Sequence, residues 1–528
     1  MDAAKALALA STGLRVWAEG QELADACAAA YGADVAKWRT LSDVPTEYSP
    51  RDHRPDWYWE FLLKHQRNGR SDSDRVAKLQ LDDVGYGDSW LEVLFGQAQE
   101  GMIGCSVHGG RYWEATVDLP KLLQLLPSSN RSVFLEKVVG ITPPTLKDAV
   151  LAGFLPPSLR LAMCVPYDCT GKAIVSRIFP EFEAEKLFGA EVAGLLNDAI
   201  SADVVVVEEL LNWPSLQLDF AIAGLDNCGT TSLHRNLNQH PEIAFSTTSE
   251  DFFFTSEVVH RLLPLKSQVQ EFNRRMEMAK DKKLQDNYPF LNCKPKSGWE
   301  TGIRPRLAGI CSPTLFAYGL ARMGLALVRE AKVVMSVCDP LGRLERHFME
   351  YRYCHNHNDG LGLEVAKQQL LASPISTREG CFSSASALWE ERQTDAMRRL
   401  WDATATSQHL RSMMALFFGR LLPMHREFLH QPERTYSIVA AFLGVRYTYP
   451  EKTVFGHFNA VGGHRTDLCK NKTLVRRLQR QLEPEYQACI LFLRHAGSPV
   501  PESLSQRLTR CKSADVLEVR CPGRETAC

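Results

Sequence analysis

The sequence predicts an α/β fold, and three observations carry that reading. An apolar run from Leu218 to Ala223 reads as a buried strand, meets a glycine-framed turn, and passes into a helical pattern from Ser232 to His240 stopped by Pro241. A second apolar run, Val333 to Val337, suits a parallel sheet buried on both faces. Between them strand and helix patterns alternate, as a sheet covered by helices requires.

The turn is the most informative part of the chain. It reads Gly224-Leu-Asp-Asn-Cys-Gly229-Thr-Thr-Ser232. Backbone N–H groups at such a helix start point at an anion, and the helix dipole adds attraction. The spacing Gly, four residues, Gly matches a P-loop, but Thr230 stands where the P-loop lysine belongs. ATP or GTP chemistry is therefore disfavoured, and a phosphate ligand other than a nucleoside triphosphate is expected. The bland alternative is an ordinary strand-to-helix turn.

The loop resembles the 5′-phosphosulfate loop of the sulfotransferases, Lys-x-Gly-Thr-Thr or Lys-x-Gly-Thr-Arg. Landmarks in the same order follow downstream. His240-Pro241-Glu-Ile243 is similar to the His-Pro-x-Ile that closes the first helix. Ser249-Glu250-Asp-Phe-Phe253 is similar to Lys-Glu-x-x-Phe-Phe, and Ser312-Pro313-Thr314 to Ser-Pro-x-Tyr. The stretch from Lys332 through Cys338-Asp339-Pro340 to Arg343 and Arg346 resembles the second family motif, an apolar strand followed by Arg-Asp-Pro-x-x-Arg-x-x-Ser. Glu427-Phe-Leu429 and Ala441-Phe-Leu-Gly444 resemble late landmarks. The resemblance spans about 217–500 and is nearest to the carbohydrate, heparan-type members.

It implies a P-loop-like parallel sheet flanked by helices. It also implies transfer of a sulfuryl group from 3′-phosphoadenosine 5′-phosphosulfate (PAPS) to a hydroxyl or amine acceptor, a carbohydrate first among them, with no metal. Carried over residue by residue, the donor site comprises Asn227, Cys228, Gly229, Thr230, Thr231 and Ser232 from the loop, and Cys338, Arg343 and Arg346 from the second motif. Glu250 takes the place of the general base, and Asn227 that of the group touching the sulfuryl oxygens. Asp251 and Asp226 are neighbours able to substitute for Glu250, whose bland reading is a loop or capping residue.

The departures matter. Asn227 replaces the family lysine and brings no charge, and charge-assisted hydrogen bonds are roughly twice as strong as neutral ones. Cys338 replaces the arginine and Arg346 the serine that hold the 3′-phosphate, while Phe252 sits where some glycan sulfotransferases carry histidine. Arg343 and Arg346, three apart on one helix face, are either a clamp on that phosphate or solvated side chains. Two outcomes follow: a rebuilt donor site, or a sulfotransferase-fold binding or scaffold protein without catalysis. Gly462-Gly-His464-Arg465 lies where glycan sulfotransferases have a basic glycine loop. The stretch Lys470 to Arg480 reads as an amphipathic helix with Leu474, Leu478 and Leu482 on its core side.

At 528 residues the chain is long enough for two or more domains. It is 45% hydrophobic and 23% charged, with a net charge of −1, so nothing global points to nucleic acid or an acidic membrane. No apolar run reaches the ~18 residues a spanning helix needs. Ala6 to Ala10, interrupted soon after by Arg15, makes a poor signal peptide. Fifteen cysteines and sequons at Asn130 and Asn471 fit a secretory, Golgi-type lumen, against free buried cysteines and chance sequons.

A boundary is expected near 212–217. Before it lie a mainly helical region, 1–90, and a cysteine-containing module, 91–215. That module carries Gly104-Cys105, the segment Leu159 to Cys164-Val-Pro-Tyr-Asp-Cys169, and a helix capped by Thr170. Cys-Val-Pro-x-x-Cys faintly resembles the N-terminal module of nose-resistant-to-fluoxetine-type membrane acyltransferases, which is lumenal and disulfide-bearing. The resemblance implies a bond from Cys105 to Cys164 or Cys169, with half a zinc site as its rival. Residues 501–528 read as a poorly ordered tail.

Overall fold

A computed structural model describes residues 22–42, 89–134, 158–188, 193, 203–226, 228–247, 250–258, 261–281, 305–344, 406–446, 448–451, 453–456 and 472–507. Asn227, Ser249, Arg346, Gly462 to Arg465 and 508–528 lie outside the described residues. The chain divides into two compact units. One comprises 1–71, 89–215 and 260–270, and the other 72–88, 216–259 and 271–528.

The first unit holds helices Val35–Ser42 and Ser89–Val107 and a three-stranded sheet. Its strands are β1 (Gly110–Asp118), β2 (Ser158–Pro166) and β3 (Val205–Glu209), in the order β2-β1-β3. All pairings are antiparallel: Gly110 faces Pro166, Asp118 faces Ser158 and Trp113 faces Glu209. The aromatic and β-branched residues of Tyr112 to Val117 favour this pleated surface. Two disulfides bind the unit, Cys105–Cys164 and Cys27–Cys169. Of the two partners the resemblance offered Cys105, the structure takes Cys164. Gly110 is needed there, because a Cβ would lie 2.8 Å from both sulfurs of that bridge. Thr170 caps the next helix as expected, accepting from the Ala173 N–H.

The second unit contains a five-stranded, all-parallel sheet flanked by helices, as the sequence predicts. Its strands are β4 (Phe220–Ile222), β5 (Ile243–Phe245), β6 (Leu307–Cys311), β7 (Lys332–Val337) and β8 (Leu421–His425), in the order β5-β6-β4-β7-β8. From β4 the chain crosses to the edge strand β5 and returns to β6 on one side, and then passes to β7 and β8 on the other. The carboxyl end of β4 is thus a topological switch point, where open α/β sheets bind ligands. Burial of β4 and β5 at every position explains their unbroken apolar sequences. Phe220, Ile222, Leu233, Phe245, Val334 and Val439 belong to the core. Gly309 in β6 accommodates the Phe220 ring, which a Cβ would approach to 2.3 Å.

Helix and strand ends depart slightly from the sequence reading. The helix after the glycine turn spans Thr230–Leu237, starting two residues before Ser232 because Gly229, at φ 93°, serves as its cap. Lys472–Gln481 is helical, with Leu478 and Leu482 buried. Residues 501–507, placed in the tail by sequence, carry the helical turn Glu502–Ser505 with Leu504 buried. No described helix is long and apolar enough to cross a membrane.

Candidate functional site

The site begins where β4 ends. Its ladder with β7 continues into the turn. Ala223 N–H donates to the Val334 carbonyl at 3.0 Å, Leu225 N–H to Ser336 O at 2.5 Å, and Ser336 N–H to Gly224 O at 2.7 Å. Gly224 adopts φ 133°, and a Cβ there would lie 2.5 Å from the Phe316 ring and 2.7 Å from the Pro313 carbonyl. Only glycine lets the chain leave the sheet at this point. Gly229 has no room for a side chain either: a Cβ would meet Leu429 Cδ1 at 2.5 Å. The two glycines that frame the motif are therefore both required, Gly224 by close approach of backbone and ring, and Gly229 chiefly by its left-handed φ of 93°.

At the far end of the turn the chain enters helix Thr230–Leu237. Thr230 and Ser232 are 4% and 5% exposed, so their first-turn amides belong to a sheltered cradle rather than open surface. Ser312, just past β6, donates its N–H to Ile222 O at 2.9 Å, and its own buried hydroxyl has no partner among the described residues. A cradle of glycine-framed backbone with a buried hydroxyl beside it can receive an anion such as a phosphate group.

The carboxyl end of β7 meets this turn by two side-chain links. Cys228 and Cys338 form a disulfide, with Cα atoms 5.3 Å apart. The Arg343 guanidinium pairs with Asp226 Oδ1, through Nη2 at 2.5 Å and Nε at 3.2 Å. Its side chain is 4% exposed and that of Asp226 13%. Cys338 is thus not an open replacement for a phosphate-binding arginine, and Arg343 is not a solvated side chain. The structure brings Arg343 to the glycine turn, but with its charge already balanced by Asp226. Asp339 caps the helical turn that carries Arg343: its carboxylate accepts from Gly342 N–H at 2.7 Å and from the Tyr486 hydroxyl at 2.5 Å.

Glu250 lies on the opposite side, past β5. Burial, then repulsion from Asp226, holds its carboxyl above the ordinary carboxylate range. Burial and the charges of Glu250 and Asp251 likewise raise the buried Cys311 thiol, whose sulfur lies 4.0 Å from the Thr230 carbonyl. These couplings tie Glu250 to the turn on one side and the helix start on the other. Asp251 has a different task. It is 1% exposed and accepts from Ser246 Oγ at 2.6 Å and Phe253 N–H at 2.9 Å, with Arg275 3.5 Å away. With both oxygens engaged Asp251 organises the segment, and Asp226 is held by Arg343.

Sequence reasoning passed over two basic groups. Arg426 follows β8, and its Cγ lies 3.7 Å from where a Gly229 Cβ would be. The only signal was its place directly before the Glu427-Phe-Leu429 landmark. Arg322 is 1% exposed; it donates to the Phe316 carbonyl and lies 3.0 Å from His409 Nδ1. Burial, then the charges of Arg322 and Arg343, push the His409 imidazole down to about 3, so it is neutral and Nδ1 accepts. Nothing in the sequence placed residues 322, 343 and 409 together.

No protein-family model matches the chain. No curated protein matches it by sequence. Among solved structures, it is similar to a sulfotransferase from Alicyclobacillus acidocaldarius, 14% identical over 54% of this chain and 97% of that one, with a TM-score of 0.33. It is also similar to a sulfotransferase domain from the curacin biosynthetic pathway, 14% identical over 54% and 99%, with a TM-score of 0.26. Scores this low carry no weight for activity, which is argued below from the chain's own residues.

Proposed function

We propose that the chain is a sulfotransferase, moving a sulfuryl group from PAPS to a hydroxyl or amine acceptor, with a carbohydrate as the leading candidate. The observation that carries the proposal is the meeting, at the switch point of a parallel sheet, of a glycine-framed turn, a helix start and a carboxylate of raised proton affinity. In this reading the amides of Gly229 to Ser232 hold the 5′-phosphate, Asn227 donates to a sulfuryl oxygen, and Arg343 and Arg346 act at the 3′-phosphate. The acceptor oxygen forms a bond to sulfur while the bond from sulfur to the 5′-phosphate oxygen breaks. Glu250 takes the acceptor proton, and adenosine 3′,5′-bisphosphate leaves. A carboxyl held nearer neutrality suits that exchange better than an ordinary one. The three disulfides support an oxidising, secretory compartment.

The test is release of adenosine 3′,5′-bisphosphate from PAPS across carbohydrate hydroxyl and amine acceptors. Acceptor-dependent release that disappears in Glu250→Gln supports the reading, and its absence with every acceptor class counts against it. A second reading, a non-catalytic binding or scaffold relative, is favoured by one observation: Arg343 is neutralised by Asp226 and Cys338 is consumed in a disulfide. If Asn227→Lys creates transfer in a native protein that has none, the scaffold reading holds.

A further inference from the structure

We infer that the Cys228–Cys338 bond is a positioning element of the donor site: the disulfide holds the glycine turn in its anion-binding shape, so that affinity for the nucleotide depends on the oxidation state of these two sulfurs. The inference rests on the sulfotransferase reading above, and deepens it.

The turn between Ile222 and Thr230 is short of the usual means of keeping its shape. Two of its residues are glycines at φ 133° and 93°, and glycine loses more conformational freedom on ordering than any other residue. Neither position 227 nor position 230 is a lysine, so no loop cation draws the backbone onto a phosphate. Amides bind an anion strongly only when already aligned, because alignment after binding subtracts from affinity. The disulfide supplies alignment covalently. It ties the residue just before Gly229 to the first residue after β7, across a sequence separation of 110. Cys228 is 0% exposed and Cys338 3%, so the bond lies beneath the turn rather than on its surface. The Asp226–Arg343 pair spans the same two segments one step further out. With the bond reduced, that pair and the backbone bonds of the turn, such as Leu225 to Ser336, would remain, but no covalent tie would hold Cys228 to the end of β7.

Reduction is a two-electron step. Dithiothreitol gives two electrons and two protons to the Cys228–Cys338 bond, leaving two thiols, and closes to its own cyclic disulfide. Binding and reduction are then linked: the factor by which the bond raises affinity for the nucleotide is the factor by which the nucleotide resists reduction.

The experiment is calorimetric titration of adenosine 3′,5′-bisphosphate into the full chain in four forms: oxidised, Cys228→Ser/Cys338→Ser, Cys228→Ala/Cys338→Val, and a control, Cys105→Ser/Cys164→Ser, in the other unit. Circular dichroism establishes that each is folded. The proposal expects both 228/338 pairs to bind about tenfold or more weakly than the oxidised protein, while the control is unchanged. Equal affinity in the folded 228/338 pairs overturns it. Failure of the oxidised native chain to bind at all overturns the sulfotransferase reading instead, and the inference with it. Should both 228/338 pairs unfold, a dithiothreitol equilibrium titration of the native chain decides. Saturating bisphosphate must shift the 228/338 couple toward the disulfide by about tenfold or more and leave the 105/164 couple unmoved. No shift, or an equal shift of both couples, overturns the proposal.

Discussion

Replacing Arg343 by methionine is expected to destabilise the sheet-bearing unit sharply, and replacing its partner as well is expected to restore much of the loss. The two groups approach to 2.5 Å with side chains 4% and 13% exposed. At that separation and an effective dielectric of ~20, the attraction is about 7 kcal/mol before desolvation is subtracted. Removing one member of such a pair leaves an uncompensated buried charge and costs about 3–5 kcal/mol. Arg343→Met should therefore lose about 3 kcal/mol or more. Asp226→Asn/Arg343→Met should recover more than half of that, since no carboxylate is then left unpaired. Urea unfolding followed by amide exchange of peptides from β4 and β7 reports on this unit alone. With a slope of ~3 kcal/mol per molar urea, the single variant's midpoint falls by about 1 M. A loss below about 1 kcal/mol, or a double variant no more stable than Arg343→Met, would refute the reasoning. The pair would then be a solvated contact without structural weight.

Four further outcomes are expected. Glu250→Gln should lower kcat by about 10²–10⁴-fold with bisphosphate affinity unchanged. The acid limb of the native rate profile should lie above the ordinary value of 4.5 and move to lower pH in Asp226→Asn, which removes one of the causes that raise Glu250; an unmoved limb contradicts the assignment. His425 is 2% exposed and burial pushes its imidazole from 6.5 to about 4. The unfolded chain therefore takes up that proton first, and stability present above pH 6.5 declines as pH falls toward 4, by roughly 3 kcal/mol at about 1.4 kcal/mol per pH unit. His409 adds a slope of the same sign. His425→Gln should remove about one proton from the uptake measured between pH 6.5 and 4, and an unchanged slope would show that His425 does not contribute. Gly229→Ala forces an L side chain to φ 93° against Leu429, and should cost about 1–3 kcal/mol in a thermal melt, where a neutral outcome would contradict the tight packing of the turn.

The sheet was legible because its central strands are buried on both faces, which forces predominantly apolar runs such as Val333 to Val337, interrupted by Ser336 alone. The turn was legible for a different reason: Gly224 and Gly229 mark close approaches that no other residue tolerates. Asp226 and Arg343 were each visible as types, but their pairing spans 117 residues and nothing local encodes it. The bond between Cys228 and Cys338 was hidden for a related reason. A cysteine standing where an arginine is expected reads as a lost contact until its partner is known. The antiparallel sheet of the first unit was missed because the buried charge of Glu114 interrupts the alternation of 110–118, and its partner strands lie far away in sequence.

The central claim is that the turn from Gly224 to Ser232 grips a phosphate of an adenosine bisphosphate. Calorimetry of adenosine 3′,5′-bisphosphate against native protein and against Gly229→Asp, which forces a charged side chain against Leu429 at the helix start, tests it most directly. The account predicts saturable 1:1 binding to the native chain and none to the variant. Absence of heat at millimolar nucleotide with the native chain, or equal binding by Gly229→Asp, would contradict it.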